Sequence, residues 1–531
     1  KTLVFYNLSV KMNRKRSAKC MYIKRQTEKL LRLANIDRVG NVENAEFNPS
    51  IRGSGSETSA INDDVFSVES DNNMPLNSFK SNIINLIINI NGVPVHSSKF
   101  SQFWPILGAI FIKNNKVSPF VIGIYYGDSK PENIDVYLHK FIEEINNLYD
   151  EGFTYKNIIN RVRIKKICCD APARAFIKCI KGHNDYYACE RCTQQGVTID
   201  NKVVYPNLNN TLRKHESFSK YEYKDHQLRL SPLLNIKGIN VISDINLDYM
   251  HTACLGVMKK LLKHWIKERK HANALTPSVI KCMSAELENM ASMVPCEFQQ
   301  KPRGFDELDQ WKATEHRFFM LYAGPIVLKD YISKQAYIKF LNFHVAMRII
   351  CSDRFIKVFG RVASECIENF CVGLRNLYGE EFLVYNMHSI YHMVNDAIME
   401  KLNVNDVSSF PFENFLGQIL KLVRGPDKPL QQIARRLTEM CEIEDCKPSG
   451  FHTHIHNNKI KIMKINGFKI YPNKTKDSHI LLPNDQVMCV ELIYSENSNY
   501  FFKGSIYQSA TKCWVCCNKY IVTLMHSIFS N

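Results

Sequence analysis

The stretch Arg161 to Cys192 constrains the fold most, because it cuts off a β-branched apolar run at an acid. Val162, Ile164, Ile167, Cys168 and Cys169 read as a strand, and Asp170 ends it. Ala171-Pro172 follows, and proline has no N–H with which to continue the ladder. Asp170 is therefore predicted at the carboxyl end of a strand. In α/β sheets that edge gathers ligands and reactive groups, and a carboxylate there suits a hard cation such as Mg²⁺. The residues that follow, Ala173 to Ile180, have helical character, so Asp170 also reads as a helix N-cap.

Further strands are predicted upstream. Ile84, Leu86, Ile88 and Ile90 give one strongly apolar face to a strand that stops at Asn91-Gly92. Trp104 to Ile112 and Pro119 to Tyr126 supply two more, and Asp135 to Leu148 reads as an amphipathic helix. Three strands, a helix and a further strand make an α/β domain with the element order of a ribonuclease-H-like sheet.

Cys189-Glu190-Arg191-Cys192 supplies two thiols at a spacing that can grip one tetrahedral ion, which is half of a zinc site. His388 and His392 are spaced to share one helix face and could complete it. Two ordinary histidines and two buried thiols are the plainer reading of the same residues.

The chain has 531 residues, 45% of them hydrophobic, enough for two to four domains by length. Lys and Arg number 69 against 52 Asp and Glu, a net charge of +17 that favours polyanionic partners over acidic small substrates. Eighteen scattered cysteines suit reduced thiols in cytosol or nucleus. The longest apolar run, Phe103 to Ile112, is far too short to span a bilayer. The first residue is Lys, so a start upstream of the given sequence is expected.

Five blocks, NGVPVHSSKFSQFWPIL, ICCDAPARAFIKCIKGHNDYYACERC, LDYMHTACLGVMKKLL, QWKATEHRFFMLYAGP and FPFENFLGQILKLVRGP, resemble those of CACTA (En/Spm-like) cut-and-paste DDE transposases, in particular invertebrate transposase-domain proteins. The resemblance covers about residues 80 to 440. The arrangement is more distantly similar to the catalytic core of the V(D)J recombinase. It implies a ribonuclease-H-like core interrupted by a large, mostly helical insertion. It also implies Mg²⁺- or Mn²⁺-dependent attack on phosphodiesters of double-stranded DNA at transposon ends, in a nuclear protein for which a homodimer is left open.

Carried over by position, the resemblance makes Asp170 the second catalytic aspartate and Glu413, in FPFENFLG, the terminal glutamate, both magnesium ligands. Cys189, Cys192, His388 and His392 become the zinc ligands. The first aspartate is missing, because Asn91 stands in the strand-end position where relatives carry Asp-Gly. Two-metal phosphoryl transfer needs carboxylate charge at that position. Impaired catalysis is therefore expected, with Asp128 or Asp135 as the acids that would have to substitute. Asn91-Gly92 is also a deamidation-prone pair. The alternatives are a host-recruited DNA-binding or chromatin-interaction protein without nuclease activity, and a zinc-braced interaction scaffold.

The domain reading is a basic arm (1–38, with ten Lys or Arg between 11 and 38), a disordered linker (39–78) and the first part of the core (79–180). A zinc-braced helical insertion (181–400), the second core part with the glutamate helix (401–445) and a small β domain (446–531) complete it. Asp248 in LDYMH, ahead of His251, reads as a helix cap or as a contact beside the active site. Trp311 reads as core or as a platform for an extruded base. Lys421, Arg424, Arg435 and Arg436 read as phosphate contacts or as solvent-facing charges. Long helices are predicted over Tyr337 to Ile350 and Phe355 to Leu377, and strands over Ile460 to Tyr471, Gln486 to Tyr494 and Phe501 to Tyr507. Cys513, Cys516 and Cys517 leave open a second zinc site or an altered end.

Overall fold

Parallel strands covered on both faces carry the architecture of the computed structural model. It describes residues 2–5, 81–95, 101–112, 118–268 except 156, 274–444 except 297 and 299, and separate segments between 453 and 506. The basic arm beyond Phe5, the linker 39–78, and Cys513, Cys516 and Cys517 lie outside the described residues.

The main sheet contains β1 (Thr2–Phe5), β2 (Ser81–Ile90), β3 (Val93–Pro94), β4 (Gln102–Ile110), β5 (Phe120–Gly127), β6 (Phe153–Tyr155), β7 (Ile158–Cys169) and β10 (Ile245–Leu247). A separate hairpin, β8 (Val197–Ile199) with β9 (Lys202–Val204), lies between the last two. The order of the main sheet is β1-β5-β4-β2-β7-β10, with β3 hairpinned onto β4 and β6 onto β7. β2, β7 and β10 run parallel, while β4 is antiparallel to β2 and β5 to β4. β1 pairs antiparallel with β5, which puts the chain's first residues in the sheet, inside a span whose sequence predicts only a basic arm.

The predicted core strands are present, but β7 begins at Ile158, four residues before Val162, and β2 begins at Ser81, three before Ile84. The alternation in β2 predicts one strongly apolar face, yet the strand is buried on both. Ile87 and Asn89 are shielded on one side as fully as Leu86, Ile88 and Ile90 are on the other.

The reason is that helices cover both sides of the sheet. α1 (Ile134–Asp150) and α2 (Ala171–Lys178) pack Phe141, Ile145, Ala173 and Ile177 against Leu86, Ile88, Ile164 and Ile167. On the opposite face α9 (Phe410–Lys421) and α10 (Pro429–Glu444) set Phe412, Leu416, Ile419 and Ile433 against Ile87, Leu107, Val121 and Cys168.

A second, all-helical core lies in the residues between. Met250–Met258 winds as a π-helix and continues as α3 (Lys259–Ile266), followed by α4 (Pro277–Asn289) and α5 (Ala313–Phe318). The long helices α6 (Lys334–Ile350) and α7 (Asp353–Tyr378) and then α8 (Tyr385–Glu400) complete it. Trp265, Phe305, Phe319, Phe343, Phe370 and Met387 are at its centre.

The span 181–400 is not one uninterrupted insertion. β10 lies inside it and joins the main sheet beside β7, pairing Ile245 with Ile167 and Leu247 with Cys169. A three-residue strand carries no periodicity of its own, so only its long-range partner identifies it. Near the end of the chain, the single strand predicted over Ile460 to Tyr471 is two, Lys459–Ile465 and Phe468–Ile470, paired antiparallel with Ile465 opposite Phe468. Asn466-Gly467 between them is a hairpin signal in the sequence. Val487–Glu496 and Asn499–Ile506 are strands where the other two are predicted, and they pair antiparallel.

Candidate functional site: an acidic strand edge braced by a Cys and His cluster

Parallel pairing aligns the ends of three strands. Asn89 pairs with Cys168 and Leu247 with Cys169, so Asn91, Asp170 and Asp248 each follow the carboxyl end of a neighbouring strand. Glu413 comes to the same edge from the first turn of α9.

Direct hydrogen bonds join these residues across the sequence. The Asp170 backbone N–H donates to Asn91 Oδ1 at 3.0 Å, and Asn91 Nδ2 donates to Glu413 Oε1 at 3.0 Å. A backbone N–H can only donate, so it fixes which end of the Asn91 amide is oxygen. Asp170 also caps α2, its Oδ1 accepting from the Ala173 N–H at 2.7 Å. Asp170 therefore both follows the end of β7 and caps α2.

Asp248 bonds to two segments. Its Oδ2 accepts from the His251 N–H and meets His251 Nδ1 at 2.8 Å, while Oδ1 accepts from the Ser409 N–H at 2.7 Å. Ser409 is the N-cap of the helix that carries Glu413, so Asp248 fixes where that helix begins. Burial pushes the Asp248 carboxyl up, but hydrogen bonds from His251 and the Ser409 N–H outweigh it and hold the group below its ordinary value. Burial raises Glu413, against the opposing pull of His251 and Asn91. His251 is raised: burial opposes its charge, and Asp248 overcomes that.

Cys189, Cys192, His388 and His392 come together although nearly 200 residues separate the pairs, and their ligand atoms lie within 4.8 Å of one another. Cys192 Sγ is 3.4 Å from Cys189 Sγ and 3.3 Å from His388 Nε2, and the two histidine Nε2 atoms are 3.1 Å apart. All four residues are buried. Burial pushes the Cys189 thiol up, but the Cys192 thiol and the His388 imidazole reverse this and favour a thiolate. Two sulfurs and two imidazole nitrogens converging in this way could hold a metal ion.

The residues between the cysteines connect the cluster to the acidic edge, and sequence reasoning misses them. Glu190 is buried and accepts from Arg174 Nε at 2.8 Å, Lys178 Nζ at 2.9 Å and the Tyr385 hydroxyl at 3.0 Å. Arg191 pairs with Asp396 at 2.7 Å and donates to the Ile245 carbonyl of β10 at 2.8 Å. His388, His392, Asp396 and Glu400 recur every four residues along α8, and Glu400 pairs with Lys166 of β7 at 2.5 Å. That spacing is the available signal, continued one and two steps beyond the histidines.

Other predicted residues fall elsewhere. Asp128 is exposed after β5, with β4 lying between that strand and β2. Asp135 is exposed and paired with Arg229 at 2.8 Å. Neither is hydrogen-bonded to Asn91, Asp170 or Glu413. Trp311 is 5% exposed in the helical core, stacked on Phe305 and donating to the Gly304 carbonyl, so its ring face is already covered. The base-platform reading gives way to the core reading. Lys421 and Arg424 are exposed; Arg435 pairs with Glu439 at 2.9 Å, and Arg436 donates to the Leu422 carbonyl at 2.6 Å.

Among the described residues no helix is long and apolar enough to cross a membrane. Comparison of the chain with protein-family models and with curated proteins finds no match.

Proposed function

We propose that this chain is a DNA transposase relative of the cut-and-paste DDE type, with a ribonuclease-H-like core and impaired catalysis. The observation that carries the reading is the hydrogen-bonded convergence of Asn91, Asp170 and Glu413 at one sheet edge. The strand order β5-β4-β2-β7-β10, with its last three strands parallel, supports it. The net charge of +17 supports double-stranded DNA as the partner and the nucleus as the compartment.

Zinc fits the Cys and His cluster. Tetrahedral coordination at ordinary Zn–S and Zn–N lengths places ligand atoms roughly 3.3 to 3.8 Å apart. The closest pairs, 3.1 to 3.4 Å apart, sit at and slightly below the short end of that spacing, and the whole set lies within 4.8 Å. Zinc there would be structural, tying the CxxC loop to α8.

A catalytic Mg²⁺ or Mn²⁺ pair does not fit the acidic edge as it stands. Such a pair activates the attacking oxygen and stabilises the leaving one. Asn91 brings no charge: its side-chain oxygen accepts from the Asp170 N–H, and its N–H donor faces Glu413. This favours a second reading as well, a DNA-binding protein with no nuclease duty.

Nicking of supercoiled DNA with Mn²⁺, by the chain and by Asn91→Asp, tests the proposal. The unchanged chain should be nearly inert and Asn91→Asp faster by about 10³-fold, the usual weight of one charged group at such a centre. An inert Asn91→Asp that still binds DNA in a salt-sensitive way would overturn the transposase reading in favour of the second.

A further inference from the structure

The geometry points to Glu190 as a positioning residue that transmits metal binding at the Cys and His cluster to the Asp170 strand end. The inference rests on the reading of that cluster as a metal centre and of Asp170 as a functional acid.

Glu190 sits between two candidate ligands, yet its carboxylate turns away from them. Oε1 accepts from Arg174 Nε and from the Tyr385 hydroxyl, and Oε2 accepts from Lys178 Nζ. Arg174 and Lys178 are one turn apart on α2, so the carboxylate grips that helix at two points. Arg174 then uses Nη1 to donate to the Cys169 carbonyl at 2.7 Å, one residue before Asp170. Its backbone N–H donates to the Asp170 carbonyl at 2.9 Å. The path from cluster to acid is therefore continuous: Cys189 and Cys192, Glu190, Arg174, then the Cys169 and Asp170 carbonyls.

The other end is anchored too. Tyr385 lies one turn before His388 on α8, so the same carboxylate touches the helix that supplies the imidazoles. A metal that draws the CxxC loop onto α8 would set Glu190 against α2 and fix the direction in which Asp170 leaves β7. All four side chains, Arg174, Lys178, Glu190 and Tyr385, are buried, so solvent cannot substitute for a lost partner.

Hydrogen exchange of the full chain tests this, with zinc content measured in parallel. Zinc-loaded protein should protect the amides of Ala173 to Lys178, and chelation should lower that protection by about tenfold or more. Zinc-loaded Glu190→Gln should lose the same protection without chelation while amides near His388 on α8 keep theirs. Glu190→Gln leaves two buried cations, so the double variant Lys178→Met with Glu190→Gln, which removes one charge of each sign, gives a second measure. Variants that hold zinc and keep α2 protected would overturn the inference, as would unchanged α2 protection after chelation of the unaltered chain. Failure of the unaltered chain to bind zinc would instead overturn the metal-centre reading beneath it.

Discussion

Asn91 places an amide where two carboxylates would otherwise face each other. With its oxygen held by the Asp170 N–H, its nitrogen lies 3.0 Å from Glu413 Oε1. Asn91→Asp would put two acids at that separation, and one must take a proton or find a cation. The expected cost without divalent cations is about 1–3 kcal/mol, below the Coulomb limit because Glu413 can protonate. Added Mn²⁺ should recover it. Thermal unfolding of both forms with and without Mn²⁺ checks this, and an equal response in the two forms would contradict it. The position of Asn91 at the strand end is legible in the sequence, through the apolar alternation that stops there. Its bond to Glu413 is not, since 322 residues separate them and only the fold brings them together. Glu190 and Arg191 escape for another reason: a CxxC pattern treats its two middle residues as spacers, whereas here they carry buried ion pairs.

Elements align these residues more than loops do. Asp170 ends β7 and caps α2, so one side chain serves both helix and site. Removing the cap oxygen with Asp170→Ala should cost about 1 kcal/mol, while Asp170→Asn, itself a good cap, should cost little of it. Urea unfolding of the two variants separates capping from charge, and equal losses would show that the charge, not the cap, dominates. Long elements are readable because many residues repeat one pattern: β2, β7, α1, α6 and α7 all fall where periodicity places them. β10 is hidden because its three residues gain their identity from pairing with β7. α8 is legible for half its content, its two imidazoles, and not for Asp396 and Glu400 further along the same stripe.

At the scale of the whole molecule, buried neutral histidines are spread over both cores and make stability depend on pH. Burial depresses His226 to about 3, and His316 and His344 to about 4, from an ordinary value of 6.5. His344 is held neutral in the helical core, its Nδ1 donating to the Met320 carbonyl. The sign follows from proton binding. The unfolded chain takes up these protons as pH falls below about 6.5, whereas the folded chain resists until its depressed values are reached. The contribution of these three is therefore full above about pH 6.5 and falls through the window down to about 4, since the unfolded state binds more of their protons throughout it. With all three groups contributing, the slope approaches ~4 kcal/mol per pH unit in the middle of the window. Urea midpoints measured from about pH 7 to about pH 4 should show that decline. His344→Gln, which keeps a donor for the Met320 carbonyl but cannot titrate, should flatten it by about 1.4 kcal/mol per pH unit. A slope that His344→Gln leaves unchanged would mean that this imidazole does not stay neutral in the folded chain.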